Sequence, residues 1–156
     1  MVKTNVMRLL DKAKLAYTTR EYAYSEDDLS GVHAAAEMGL PCSEVFKTLV
    51  LKGDKKGYFV CVIPVDKEVD LKKAAKISGN KSAEMIHVKE LLPLTGYIRG
   101  GCSPIGMKKR FPTYIDASAE ALSIFHFSAG QRGVQISMDP QKLKEYIGAE
   151  YAELTV

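Results

Sequence analysis

Lys47-Thr48-Leu49-Val50-Leu51-Lys52, then Gly53-Asp54-Lys55-Lys56-Gly57, then Tyr58-Phe59-Val60-Cys61-Val62-Ile63 is a pair of strand-forming runs separated by five turn residues. β-Branched and aromatic side chains suit a pleated, half-buried surface, and the Gly-Asp…Gly break supplies the reversal. The segment reads as an antiparallel hairpin. Downstream, Asp70 caps a helix through Lys76 that Ser78-Gly79-Asn80 ends. Ala83 to His87 reads as a short strand and Lys89 to Leu92 as a helical turn. Upstream, Val2, Val6, Leu9, Leu10 and Ala13 recur at helical spacing between cations, predicting an amphipathic first helix. Thr18 to Tyr24 reads as a strand, and Ser30 caps a helix from Val32 to Met38 that Gly39 and Pro41 stop. Thr113 to Ile115, Ser123 to Phe127 and Val134 to Met138 complete the strands. Asp139-Pro140 opens a last helix ended by Gly148. Helices and strands are interspersed without regular βαβ alternation, which predicts an α+β fold with a mixed, strongly curved sheet.

The 156 residues fit one domain spanning 1–156, with no repeat or linker. Apolar residues make up 46% and charged residues 26%, a globular mix able to bury roughly two-thirds of its extended surface without a staple. The net charge of +3 permits contact with a polyanion without demanding it. Cys42, Cys61 and Cys102 are odd in number and widely spaced, which argues against a disulfide framework or zinc ribbon. No signal-peptide core opens the chain, and the longest apolar runs, such as Tyr58 to Pro64, are too short to span a bilayer. A cytoplasmic protein without membrane contact is expected.

Absences exclude most enzyme classes. The chain has no GxGxxG opening a helix, no GxxxxGK[ST], no HExxH and no GxSxG, and His33, His87 and His126 lie far apart. No metal or organic cofactor is expected. One lysine and two glycine-rich turns remain. Lys47 opens an otherwise apolar strand, where its ammonium either snorkels at a strand end or meets an anion in a cleft. Gly100-Gly101-Cys102-Ser103-Pro104-Ile105-Gly106 is either a tight structural turn or a backbone concavity for an anion or carbonyl. Lys108-Lys109-Arg110 is either a solvated face or a phosphate contact. In Ser128-Ala129-Gly130-Gln131-Arg132-Gly133, a hairpin turn, Ser128 either forms the turn or offers a hydroxyl to the same cleft.

Taken in order, Phe46-Lys47-Thr48-Leu49, Gly96-Tyr97, Gly100 to Lys109 and Ser128 to Gly133 resemble the YbaK family of the prolyl-tRNA editing superfamily. The resemblance extends over nearly the whole chain. It implies a barrel-like curved sheet surrounded by helices, with a cleft for the 3′ end of a charged tRNA. It further implies Lys47 as the essential lysine, with Gly100, Gly101 and Ser103 in the catalytic loop that contacts the aminoacyl ester. Tyr22, Phe46, Thr48, Cys102, Pro104, Lys108, Ser128, Gly130 and Arg132 are the implied substrate-binding positions. Ala129 stands where relatives often carry a second glycine, so a positive φ there would strain the turn.

The activity implied is release of cysteine from mischarged Cys-tRNA(Pro), with Cys-tRNA(Cys) as a further substrate. The partners implied are the mischarged tRNA and prolyl-tRNA synthetase. No protein nucleophile is evident, and the substrate's own thiol, held close to its ester, would gain from proximity. Backbone amides from Gly100 to Ser103 would face the oxyanion while Lys47 neutralises phosphate or orients the ribose. Three alternatives stay open: a deacylase for Ala- or Ser-charged tRNA, a non-catalytic tRNA- or synthetase-binding module, and a small-molecule esterase.

Overall fold

The computed structural model describes residues 3–156; Val2, assigned above to the first helix, lies outside them. In chain order the elements are α1 (Asn5–Lys12), β1 (Thr18–Glu21), α2 (Gly31–Met38), β2 (Phe46–Gly53), β3 (Gly57–Pro64), α3 (Leu71–Ile77), β4 (Ala83–Met85), α4 (Val88–Thr95), β5 (Thr113–Asp116), β6 (Phe125–Ser128), β7 (Val134–Met138), α5 (Pro140–Ile147) and β8 (Glu150–Ala152). The helix starts follow their caps. Ser30 Oγ accepts from His33 N at 3.2 Å, and Asp70 Oδ1 accepts from the amides of Lys72 and Lys73 at 3.0 and 3.1 Å. Such caps are worth about 1 kcal/mol each.

The central hairpin pairs β2 with β3 from Phe46↔Pro64 to Gly53↔Gly57. β4 joins only the far end of β2, while β5 and β8 add parallel beyond β3, giving the mixed order β4-β2-β3-β5-β8. A second, antiparallel sheet has the order β1-β7-β6. The α+β class holds; among the described residues the strands form two sheets, and no closed barrel is found. Among the described residues one parallel bridge, Val45↔His126, links them, after which β2 and β6 diverge. Strand twist carries neighbours apart once they are no longer paired.

Alternation sorts the side chains. Phe46 and Val50 of β2 and Val60 and Val62 of β3 face Phe125, Phe127, Ile136 and Met138 of the second sheet. Val6, Met7, Leu10 and Leu143 close this core. The other face of the hairpin packs Leu51, Phe59, Cys61 and Ile63 against Ala74 of α3 and Leu154. The strands expected over Thr18–Tyr24, Ala83–His87 and Ser123–Phe127 are Thr18–Glu21, Ala83–Met85 and Phe125–Ser128, and two further elements differ from expectation. The turn expected near Lys89 is an eight-residue helix that holds Pro93 past its first turn, so the helix forgoes the i→i−4 bond to the Lys89 carbonyl. β8 is only three residues long, too short to show alternation. Among the described residues no helix is long and apolar enough to cross a membrane.

Candidate functional site

β2 is paired on one side only at Leu51–Gly53 with β4, and at Val45 with the second sheet. Between those points its edge opens into a cleft of about 360 Å³. Val50 O accepts from Ile86 N at 3.3 Å, so its carbonyl points to this edge. Strand alternation turns the backbone N–H and C=O of Thr48 the same way, into the cleft.

Lys47 and Gly100 border this one hollow, together with Tyr22, Phe46, Thr48, Cys102 and Ser128. Six other positions singled out in the sequence do not line it. Gly101 donates its N–H to Ile98 O at 3.0 Å, and a Cβ there would sit 3.1 Å from Gln131 Cα. This amide is therefore engaged inside the loop, and the expected run of free amides shrinks to those flanking it. Gly100 N–H and Cys102 N–H have no intramolecular partner among the described residues. Ser103 is fully buried, and its Oγ accepts from Ile105 N at 3.4 Å, a turn within the loop. Pro104 lines a different hollow, on the far side of the loop. Lys108 lays its stem along Gly96 and donates its N–H to Thr95 O. Gly130 (φ +99°) donates to Ser128 Oγ at 3.2 Å and abuts the Tyr97 ring. Arg132 Nε donates to Arg99 O at 2.8 Å, strapping the glycine loop to the β6–β7 turn. Ala129 has no positive φ and is buried in the core, so its methyl strains nothing.

Lys47 is half-buried, and loss of water around it pushes its pKa below the ordinary value; Glu68 and then Asp66 pull it back up. No carboxylate forms a salt bridge with it among the described residues. Burial pushes the Cys102 thiol up to about 12, so it stays protonated near neutrality. Burial, reinforced by Cys102, also pushes the Tyr97 phenol up to about 12, and that phenol donates to Ile105 O.

Among the described residues, two buried side-chain atoms lack any partner: Thr48 Oγ1 and Gln135 Oε1. Both residues line the cleft, and Gln135 is only 6% exposed. An unsatisfied buried polar group costs about 1–3 kcal/mol, and a polar ligand in the cleft would relieve it. Gln135 escaped the sequence reading. In Val134-Gln135-Ile136-Ser137-Met138 it occupies the polar phase of a clean alternation, which ordinarily marks a solvent face. Here that face is buried, with Gln135 in the cleft wall and Ser137 only 4% exposed. Leu29, Ile86 and Leu91, which supply apolar wall, carried no signal beyond their hydrophobicity. No group of three His, Cys, Asp or Glu suited to a metal occurs among the described residues.

The site thus offers an unpaired ammonium, two free backbone amides and two orphan polar side chains, with no ionised nucleophile. That equipment suits binding an anionic ligand and polarising an acyl group. The comparisons agree with it. An Enterococcus faecalis protein named "Putative Cys-tRNA(Pro)/Cys-tRNA(Cys) deacylase EbsC" is 50% identical over 153 residues, covering 98% of this chain and 93% of that protein. A proline–tRNA ligase of Thermosipho africanus is 27% identical over 99 residues, 64% of this chain and 18% of the ligase. A solved structure described as "a putative trans-editing enzyme for prolyl tRNA synthetase" matches with TM-score 0.82 at 22% identity. The match covers 100% of this chain and 99% of that one. Residues 29–146, which carry the whole cleft wall apart from Tyr22, match the aminoacyl-tRNA editing domain, and the chain belongs to that family.

Proposed function

We propose that this protein is a trans-editing deacylase that releases cysteine from mischarged Cys-tRNA(Pro), and from Cys-tRNA(Cys). The observation that carries the reading is the shared cleft: the Lys47 side chain and the backbone of Gly100 border one hollow that contains no ionised protein nucleophile. The half-identical relative, named for this pair of substrates, supports the choice of cysteine.

An aminoacyl ester is already activated, and the terminal ribose can enter along the open edge of β2. The Lys47 ammonium neutralises a phosphate oxygen or orients the ribose. The amides of Gly100 and Cys102 face the carbonyl oxygen as negative charge develops; one well-placed donor of this kind contributes about 2.7–4 kcal/mol. The substrate's own thiol attacks its ester, forming the C–S bond as the ribose oxygen departs with a proton, and the cyclic thiolactone then leaves or hydrolyses. The ring closure is intramolecular, so an effective molarity of about 10⁵ M or more is available. Seryl and alanyl esters, lacking the thiol, react slowly.

Lys108 and Arg132, turned away from the cleft, read no tRNA feature within it. Identity of the proline tRNA is therefore assigned to a complex with prolyl-tRNA synthetase, in keeping with the similarity to a segment of a proline–tRNA ligase. Incubation with Cys-, Ala- and Ser-charged proline tRNA tests the whole reading. Wild type releases cysteine much faster than the other two, and Lys47→Ala loses that release. Equal rates on all three esters would replace the thiol mechanism with simple hydrolysis.

A further inference from the structure

We infer a second subsite, on the far side of the glycine loop, that takes a single-stranded polynucleotide on Lys109, Arg110, Phe111 and Tyr146. A hollow of about 390 Å³ opens there, with Pro104 in its wall. Cys102 lines the first cleft, so the two hollows are joined by a strip of chain that spans at most about 7 Å.

The fold divides the run of three cations. All three are exposed, but Lys108 lays its stem along Gly96, whereas Lys109 and Arg110 line the second hollow. Neither forms a salt bridge among the described residues. The Arg110 guanidinium lies beside Gly148 at the C-terminal end of α5, where the helix carbonyls favour a cation. Most of its five N–H donors remain for a ligand. Phe111 and Tyr146 are half-buried in the same wall. Phe111 is steadied from behind by Tyr58, with ring centroids 6.0 Å apart at 66°.

Exposed cations beside aromatic faces are what a single strand needs: phosphates pair with the cations, and bases stack on the rings whatever their sequence. A duplex keeps its bases stacked and could use only the cations. The inference rests on the editing reading in one respect, that the strand is the unpaired 3′ end of the tRNA leading to the ester.

The test compares wild type, Lys109→Ala/Arg110→Ala and Tyr146→Leu. Binding of a labelled single-stranded oligoribonucleotide with a tRNA 3′-end sequence is followed by fluorescence anisotropy across a salt series. Turnover of Cys-tRNA(Pro) and of a minimal cysteinyl ester of adenosine is measured in parallel. The double variant is expected to lower the salt slope by about 1.4, two phosphates at about 0.7 each. Tyr146→Leu is expected to weaken the oligonucleotide about tenfold. Turnover of the minimal ester, which reaches only the first cleft, reports that the variants are folded. Wild-type affinity and slope in both variants would overturn the subsite and leave the editing reading standing. Equal losses on duplex RNA would overturn it too, as would loss of minimal-ester turnover in variants whose circular dichroism and urea midpoint match wild type. Inactivity of wild type on both esters would end the editing reading instead, and the oligonucleotide measurements would still decide the subsite.

Discussion

Replacing Cys102 by alanine asks whose sulfur attacks the ester. Cys102 lines the cleft, and burial holds its thiol at about 12. At pH 7.5 roughly one molecule in 30,000 would carry the thiolate, whereas an unperturbed thiol near 8.5, the reference for the substrate's cysteine, is about one-tenth ionised. Ionisation alone thus favours the substrate by about 3,000-fold. The less acidic thiolate is intrinsically more reactive, with a Brønsted coefficient of about 0.4–0.5, which returns a factor of roughly 25–55. The substrate's thiol keeps an advantage of roughly 50- to 120-fold, before any gain from its attachment to the ester. Cys102→Ala is therefore expected to keep single-turnover release of cysteine from Cys-tRNA(Pro) within about twofold of wild type, with tRNA binding unchanged. A loss on the order of 100-fold with binding intact would refute the reasoning and make Cys102 the nucleophile.

Turnover should follow a bell in pH, rising as the substrate thiol ionises and falling as Lys47 loses its proton. The falling limb lies below the ordinary lysine value of 10.5 because burial lowers that pKa. Asp66→Asn and Glu68→Gln should each move it further down, since those carboxylates hold the ammonium charged; a limb that stays put in both would detach it from Lys47. Gln135→Met removes the orphan Oε1 and should leave stability unchanged or raise it by up to about 1 kcal/mol, while lowering kcat/KM about tenfold. Urea unfolding and steady-state kinetics read the two effects separately. Gly130→Ala forces a methyl into a backbone at φ +99°, 3.1 Å from Tyr97 Cε1 and 3.2 Å from Val6 Cγ2. A destabilisation of about 1–3 kcal/mol in the same unfolding assay is expected.

The hairpin, the capped helices and the α+β class were legible because each rests on local chemistry: Gly53 and Gly57 mark a turn, Ser30 and Asp70 mark helix starts, and alternation marks strands. The division into two sheets was not legible, because a strand's own residues do not say which neighbour it will lose. Lys47 and Gly100 were legible as misfits, a cation in an apolar strand and a loop denser in glycine than a connection requires. Loop interiors were the hard part. Gly101, Ser103 and Pro104 fall within two residues of Cys102, yet one amide turns inward, one side chain is buried and one faces the opposite hollow. Spacing along a non-repeating backbone carries no rule for such directions. Gln135 was hidden for a different reason: periodicity reports two faces of a strand but not which of them meets water.

The tie from Arg132 to the Arg99 carbonyl and the brace of Tyr97 between Ile105 and Gly130 make the loop side of the site a vice with one fixed jaw. Evolution or redesign toward a bulkier amino acid has to work on the other jaw, at Ile86 and Leu91, where apolar side chains can be trimmed without cutting a hydrogen bond. Chemistry and substrate size are thereby placed on separate walls, and each can change while the other is kept.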